Sequence, residues 1–303
     1  LMAARVDVRK TYKLYIGGAF PRSESGRSYE VYAAPARAGA PSRFLANAAQ
    51  GSRKDARNAV VAARKAFPGW AGATAYNRGQ VLYRVAEVME SQRAQLVEEV
   101  RDAEGLSAAR AEAAVSQAID RWVWYAGWSD KLAQVLGGLN PVAGPFFNIS
   151  APEATGVVAV LAPQHSSLLG LVSVIAPVIV SGNTAVVVTS SQRPLPAITL
   201  AECLATSDVP GGVVNLITGQ AAEMAPWLAS HRDVNAIDLT GAAGAQGVDW
   251  GALEAAAAVN LKRVMRPQGV GSEAVEPDFA QTPDLRRMTA FLETKTVWHP
   301  KGR

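Results

Sequence analysis

Four short stretches decide the fold of this chain: residues 156–163 (GVVAVLAP), 184–189 (TAVVVT), 213–218 (VVNLIT) and 236–241 (AIDLTG). Each is rich in Val, Ile or Leu and has the length of a buried β-strand. Segments of helix length separate them, at residues 166–181, 195–207 and 221–230. Strands that alternate with helices predict βαβ units and a parallel sheet that is buried on both faces. The sequence therefore indicates an α/β fold with a parallel, doubly wound sheet, which binds ligands beyond the carboxyl ends of its strands.

The composition is that of an ordinary globular chain, with 303 residues of which 49% are hydrophobic and 18% charged. The most apolar stretch, residues 168–181, is too short to span a bilayer, so we expect no membrane partner. The first five residues, LMAAR, lack the apolar core of a signal peptide. One cysteine excludes an intramolecular disulfide, and we expect a cytoplasmic location. The net charge of +4 is dispersed rather than clustered, which argues against nucleic acid as a partner.

The residues before the sheet predict a β-hairpin and several helices. Residues 13–20 (KLYIGGAF) and 29–33 are interpreted as the two strands of an edge hairpin. Ser52, with Asp55 three positions later, predicts a helix N-terminus, and Pro68 predicts the end of that helix. Further helices are expected from Thr74 onward, at residues 91–103 and at residues 107–136.

The residues after the sheet predict a helix, a linker and a last strand. The helix is expected at residues 251–264, an extended linker at 267–283, a short helix at 285–292 and the strand at 294–298 (TKTVW). The linker is long enough to carry the last strand away from the sheet. We therefore expect residues 294–298 to be an assembly element that adds to the sheet edge of a partner. The alternative is a strand that folds back on residues 14–20 of its own chain.

Several of these segments share an order and spacing with one known family. They are residues 14–20 (LYIGGAF), 60–89, 118–132 (AIDRWVWYAGWSDKL), 155–191, 210–219 (PGGVVNLITG) and 238–241. They resemble, in turn, the N-terminal hairpin, the paired helices and the YYAGWADK, PWN-to-KPSE, PPGV and TGS segments of the aldehyde dehydrogenase superfamily. Residues 295–298 (KTVW) resemble the C-terminal strand by which subunits of that family join. With its degenerate motifs, the chain is similar to the non-catalytic second half of the family 16 aldehyde dehydrogenases.

The resemblance implies three regions. Residues 1–33 would be an N-terminal hairpin or arm, residues 34–266 a degenerate NAD(P)-binding-type domain, and residues 267–303 a linker and a β oligomerisation strand. In the family, the nucleophilic cysteine lies in a catalytic domain that follows the cofactor domain. Residues 265–303 number only 39, fewer than the roughly 100–150 of an ordinary domain. We therefore expect the catalytic domain to be largely absent.

The chemistry of the family needs a thiolate, an oxyanion donor and a base. Cys203, the only thiol, falls among apolar residues of a predicted helix, so we expect a buried structural residue. His165 replaces the oxyanion Asn of the PWN motif, and we interpret it as a solvated or capping residue. Pro267 stands at or next to the general-base Glu of the ELGGK motif. The resemblance therefore assigns no catalytic residue to this chain.

The cofactor motifs are degenerate as well. Residues 188–191 (VTSS) replace the KPSE segment, so that Val188 and Ser191 take the places of the two ribose partners. Ala242 replaces the serine of the TGS turn, of which Gly241 survives. We therefore assign no cofactor-binding residue and expect weak or no NAD binding. No metal-binding residue is assigned either, because the three histidines lack the spacing of ligands. They are His165, His231 and His299.

These patterns predict a pseudoenzyme that assembles with a complete NAD(P)-dependent aldehyde dehydrogenase and supports or regulates it. Self-association through the last strand is the other assembly that we expect. No cofactor is expected on this chain, and NAD or NADP would bind to the catalytic partner. Without a catalytic domain, the carboxyl-end face of the sheet should need cover from that partner. Two alternatives remain open: an active aldehyde dehydrogenase with displaced motifs, and a small-molecule binding module that re-uses the nucleotide groove.

Overall fold

The structure, a computed structural model, describes residues 8–35, 39 and 41–302. The strands are β1 (Thr11–Tyr12), β2 (Ser28–Tyr32), β3 (Phe44–Ala49), β4 (Gly138–Asn140), β5 (Phe146–Ala154), β6 (Val157–Leu161), β7 (Thr184–Val188), β8 (Val214–Ile217), β9 (Ala236–Asp238), β10 (Arg263–Met265) and β11 (Leu292–Pro300). The helices are α1 (Arg53–Gly72), α2 (Ala75–Ser91), α3 (Arg93–Glu104), α4 (Ala108–Ala126), α5 (Leu132–Leu136), α6 (Leu169–Val180), α7 (Leu195–Ala205), α8 (Ala221–Ser230), α9 (Trp250–Ala258) and α10 (Arg286–Thr289).

A parallel sheet of five strands in the order β10-β9-β6-β7-β8 forms the centre of the molecule. Four of these strands are the ones predicted, and the α/β prediction is confirmed. The predicted helix at residues 251–264 is too long, because α9 ends at Ala258 and the chain then enters β10. There Arg263 and Met265 pair in register with Ala236 and Asp238 of β9.

Helices pack on both faces of this sheet. Alternate residues of β6 enter two different hydrophobic clusters, with Val158 and Val160 on one face and Val157 and Leu161 on the other. Residues of α2, α4, α6 and α7 fill the first cluster, and residues of α1, α8 and α9 fill the second. Burial on both faces explains why the strands read as continuous apolar runs rather than as an alternating pattern.

The start of α1 follows the prediction, but its end does not. Ser52 and Asp55 form a reciprocal capping box, in which each side chain accepts a hydrogen bond from the backbone N–H of the other. Pro68 was predicted to end the helix, which continues to Gly72. The continuation buries Trp70, whose indole N–H donates to the carbonyl of Ile179 at 2.8 Å. This tertiary contact outweighs the local cost of the proline.

The helix predicted at residues 107–136 is two helices, α4 and α5, with a break at residues 127–131. Thr74 caps α2 as predicted, because its hydroxyl accepts from the backbone N–H of Asn77.

The predicted N-terminal hairpin is wrong. Residues 13–20 do not pair with residues 29–33; instead Tyr15 forms a bridge with Leu216 of β8. Strand β2 pairs with β3, and β3 is the central strand of a small sheet with β1 on its other side. Gly17 and Gly18, which both have positive φ angles of 63° and 84°, form a tight turn in the segment read as a strand.

The last strand belongs to a second antiparallel sheet, which we call the arm sheet (β11-β5-β4). All nine residues of β11 pair with β5, from Leu292 opposite Ala154 to Pro300 opposite Phe146. The strand pairs with β5 of its own chain, so the alternative of a strand that folds back on residues 14–20 is wrong. Its role in assembly is untested by this pairing and stays a prediction.

The segment predicted to be an extended linker, residues 267–283, folds against the domain instead. Gln268 and Val275 exchange backbone hydrogen bonds of 3.1 and 2.7 Å, which closes a loop. Phe279 is 7% exposed and belongs to the larger hydrophobic cluster. Among the described residues, no helix combines the length and apolar character needed to cross a membrane.

Candidate functional site

The candidate site lies at the carboxyl-end edge of the parallel sheet, in the loops that follow β6, β7 and β9. Gly241, in a 3₁₀ turn after β9, packs directly on the loop that follows β6. A Cβ atom at this position would overlap the carbonyl group of Ala162, so only glycine permits the contact. The survival of Gly241 therefore has a packing reason that is independent of a pyrophosphate. Ala242 is 1% exposed and packs in the core.

Residues 274–281, which we call the strap, cross this edge. The Glu276 carboxylate accepts hydrogen bonds from the backbone N–H groups of Gln164 and His165, the second at 3.1 Å. These two residues stand where the resemblance puts the PWN motif. The strap thus covers part of the edge that the sequence predicted to need cover from a partner, and that expectation is wrong for this part.

Two further contacts anchor the strap. Arg121 of α4, which is 8% exposed, donates through one guanidinium nitrogen to the carbonyl groups of Phe279 and Gln281, at 2.7 and 3.0 Å. Burial lowers the pKa of Arg121. The Phe279 ring packs so closely on Gly170 that a Cβ there would lie 3.1 Å from the ring. The strap is therefore held at both ends and in its middle.

A cavity of about 610 Å³ opens between the strap, α4 and the start of α6. Its walls include His165, Glu276 and Phe279. His165 is exposed at the mouth of this space, as the prediction of a solvated histidine requires.

The two positions that the resemblance gives to the ribose partners lie in different surroundings. Val188 is 1% exposed and packs in the hydrophobic core instead of facing the groove. The Ser190 hydroxyl donates to the carbonyl of Gln164 at 3.2 Å. Ser191 lines a second cavity of about 460 Å³, together with Gln220. The lining of this cavity combines amide and hydroxyl groups with the charged side chains of Glu30 and Arg193.

Cys203 is fully buried in α7, as predicted. Burial raises the pKa of its thiol to about 12, and the nearby Glu202 carboxylate adds to the shift. A thiol with this pKa is almost entirely protonated at neutral pH and is a poor nucleophile. Pro267 is also buried. In the part of the chain that the structure describes, no three His, Cys, Asp or Glu side chains cluster as metal ligands would.

A buried ion pair lies behind the strap. Asp238, at the end of β9, is fully buried and lies 3.2 Å from the guanidinium of Arg287. Its carboxylate also accepts from the backbone N–H of Thr240 at 2.8 Å. The adjacent Tyr125 hydroxyl is buried without a hydrogen-bond partner in the described chain, and burial raises the pKa of that hydroxyl to about 12. The pair ties the C-terminal segment to the sheet edge.

Sequence reasoning missed the strap and its anchors, Glu276 and Arg121, because the mixture of Pro, Gly and acidic residues in this segment is typical of a linker. One available signal was Phe279, a large aromatic residue in a segment that was expected to be solvated.

The comparisons with known proteins extend over most of the chain. A family model described as the aldehyde dehydrogenase family matches residues 25–275. Aldehyde dehydrogenase 1A1 of Gallus gallus is 31% identical over 300 residues, which cover 97% of this chain and 56% of that protein. D-glyceraldehyde dehydrogenase (NADP(+)) of Thermoplasma acidophilum is 31% identical over 230 residues, which cover 76% of this chain and 45% of that protein.

The solved structures agree. A mutant aldehyde dehydrogenase from Bacillus cereus superposes with a TM-score of 0.77 at 26% identity, over 84% of this chain and 50% of that one. This chain thus spans about half the length of the relatives that it matches. Because the family model covers far more than half of its residues, the chain belongs to the aldehyde dehydrogenase family.

Proposed function

We propose that this chain is a non-catalytic member of the aldehyde dehydrogenase family that assembles with a complete, catalytic aldehyde dehydrogenase and supports or regulates it. Self-association through β11 is the other assembly consistent with the proposal. NAD or NADP would bind to the catalytic subunit rather than to this chain. A chain with a single, buried cysteine also suits the reducing cytoplasm, which is the location that we propose.

One observation carries the proposal: the chain closes its own sheet edge. The Glu276 carboxylate takes up the backbone N–H groups of Gln164 and His165, beside the position of the oxyanion donor in the resemblance. A negative charge at this place opposes the build-up of an oxyanion rather than stabilising it. An aldehyde would have to displace the strap before it could approach this loop.

The state of the thiol supports the same conclusion. Thioester chemistry needs a thiolate that can reach the substrate. Cys203 is fully buried within α7, and the raised pKa of its thiol keeps it protonated. The described chain therefore offers no accessible nucleophile of the type that the family uses.

The arm sheet supports the assembly part of the proposal. It exposes large apolar side chains at 38–65% of their surface: Leu139, Phe146, Phe147, Ile149 and Trp298. Phe146 and Trp298 pack edge to face across the two strands, with ring centroids 5.8 Å apart. The outer edge of β11 has no strand partner within the described residues. Exposed apolar side chains beside an open strand edge are typical of a surface that another chain covers.

The decisive experiment is purification of the chain from its native host, followed by identification of the proteins that elute with it. We expect a complete aldehyde dehydrogenase in stoichiometric amount, whose dehydrogenase activity or stability changes when this chain is removed. The isolated chain should produce no NADH or NADPH with aldehydes. Turnover by the isolated chain would contradict the proposal and favour the alternative of an active enzyme.

A second candidate function rests on the cavity of about 460 Å³ over the ends of β7 and β8. Three glutamine side chains line it: Gln192, Gln220 and Gln246. Amide groups around a cavity of this size suit a small polar molecule, which would make the chain a binding module. Calorimetry with NAD and NADP on the isolated chain tests both readings. We expect weak or no binding, whereas a dissociation constant in the micromolar range, about −8 kcal/mol, would contradict the proposal.

A further inference from the structure

The Glu276 carboxylate marks a feature of the sheet edge that the proposed assembly does not use. It accepts hydrogen bonds from two successive backbone N–H groups, those of Gln164 and His165. Each N–H group donates to a different oxygen of the carboxylate, and two adjacent N–H groups of this kind form a small anion-binding concavity. The acceptor comes from a segment more than a hundred positions later in the chain. The concavity is thus occupied by a group that the loop itself does not supply.

The structure leaves room for this carboxylate at Gly244. A Cβ atom there would lie 2.7 Å from Oε1 of Glu276 and 3.3 Å from Nε2 of His165. The φ angle of Gly244 is not in the positive range, so other residues could adopt the same backbone conformation. Glycine at position 244 therefore leaves space for the Glu276 carboxylate and is not needed for an unusual backbone conformation.

The neighbouring cavity of about 610 Å³ could hold a larger molecule. Glu276 and His165 line one part of it, and the rest includes the apolar side chains of Leu106, Leu169 and Phe279 beside polar ones such as Arg110 and Gln117. A molecule with a carboxylate at one end and an apolar body would match both parts.

The other acidic groups of this cavity already have partners. Glu104 accepts from the backbone N–H and the hydroxyl of Ser167, both at 2.7 Å. Asp278 accepts from the backbone N–H of Ala280 at 3.0 Å. A ligand carboxylate would replace that of Glu276 as the acceptor of the two N–H groups.

We propose that the backbone N–H groups of Gln164 and His165 form a binding site for a carboxylic acid with an apolar body, and that Glu276 is its intramolecular competitor. Binding of the acid releases the strap at Glu276, while Arg121 still holds the carbonyl groups of Phe279 and Gln281. The strap is then a lid that the ligand displaces. The inference concerns the isolated chain and does not depend on assembly with a partner.

The competition sets the expected affinity. A tethered group acts at an effective concentration on the order of millimolar or above. A free acid must exceed this competitor, so it binds the natural chain weakly. Removal of the Glu276 carboxylate should therefore strengthen the binding of an external carboxylate by about tenfold or more.

The test is a titration of the full chain with benzoate, followed by NMR, with neutral benzamide as the matched ligand. Glu276→Ala should bind benzoate about tenfold more tightly than the natural chain, and benzamide should gain nothing. Glu273→Gln, at an exposed position in the short 3₁₀ helix just before the strap, is the control and should bind benzoate as the natural chain does. If Glu276→Ala does not fold, Glu276→Gln serves instead, because a neutral amide is the weaker competitor.

Addition of Gly244→Ala to the Glu276→Ala chain locates the site. Its methyl group would occupy the space of the carboxylate, so the gained affinity for benzoate should be lost. Equal benzoate affinity in the natural and Glu276→Ala chains would overturn the inference. So would an equal gain for benzamide, or full retention of the gain after Gly244→Ala.

Discussion

The parallel sheet and the arm sheet of this molecule differ in what they bury. Every residue of β6 and β7 is buried, whereas β5 and β11 each bury only one of their nine residues. The parallel sheet gains its stability from helices of the same chain on both faces. A three-stranded sheet with exposed apolar side chains gains little from its own chain. The parallel sheet is therefore buried within its own chain, whereas the arm sheet leaves most of its residues exposed.

The largest expected effect tests this difference with two substitutions. Leu161→Ala in β6 removes a fully buried side chain and should lower the free energy of unfolding by about 2–5 kcal/mol. Ile149→Ala in β5 removes a side chain that is 43% exposed and should change it by about 0.5 kcal/mol or less. Urea denaturation at one low protein concentration, where association does not contribute, measures both. Equal losses would mean that the two sheets do not differ as described.

Deletion of residues 295–303 tests the arm sheet as an assembly element. The deletion removes most of β11 but none of the parallel sheet. We expect the shortened chain to stay folded by circular dichroism, to elute as a smaller species and to lose its partner. A chain that unfolds would show that the arm sheet supports the fold, and a chain that still assembles fully would exclude β11 as the interface.

A smaller expected effect is on the pH dependence of the unfolding free energy, which should differ between a buried and an exposed glutamate. One carboxylate oxygen of Glu99 accepts from the Tyr12 hydroxyl at 2.8 Å and from the Thr199 hydroxyl at 2.9 Å, whereas the other oxygen is buried without a partner in the described chain. Burial raises the pKa of Glu99. The folded chain therefore holds this proton more tightly than the unfolded chain, and it loses stability as the pH rises above the unfolded pKa of about 4.3.

Glu99→Gln cannot ionise, so its unfolding free energy relative to the natural chain should increase from pH 4 to pH 8. Urea denaturation across this range measures the difference. Glu98→Gln, at the exposed neighbouring position, is the control and should show no such trend. An identical pH dependence in Glu99→Gln and the natural chain would contradict the expectation.

The smallest expected effect concerns Cys203. Cys203→Ala should leave the dehydrogenase activity of the purified complex unchanged, because the thiol is fully buried within α7. The loss of packing should cost about 1 kcal/mol, a typical value for a single substitution. Activity assays and urea denaturation of the same preparation measure the two quantities. Loss of turnover in the variant would give Cys203 a chemical role that its burial argues against.

How far the sequence predicts this molecule depends on the range of the interactions involved. The four predicted strands are continuous apolar runs, which indicate buried strands whatever segments pack against them. The alternation of strands and helices in turn implies a parallel sheet. The burial of Cys203 follows from its helical surroundings in the same way. The capping box of Ser52 and Asp55 is predictable because its two residues are three positions apart.

The errors lie where distant residues decide. The strand partner of β2 is β3 rather than residues 13–20, because the register of the small sheet depends on pairing across the chain and not on a local turn. Pro68 does not end α1, because Trp70 finds a buried acceptor more than a hundred residues away. In both cases a contact between separate segments overrides a local preference.

The sequence by itself determined the family and the parallel sheet, since these follow from residue types in a fixed order. Only the tertiary structure decided where the C-terminal segment goes. Nothing local to Glu276, Phe279 or Arg121 predicts their contacts, because each joins segments more than a hundred positions apart. The position of the strap can be recognised only once the fold has placed the backbone N–H groups and the guanidinium that donate hydrogen bonds to it.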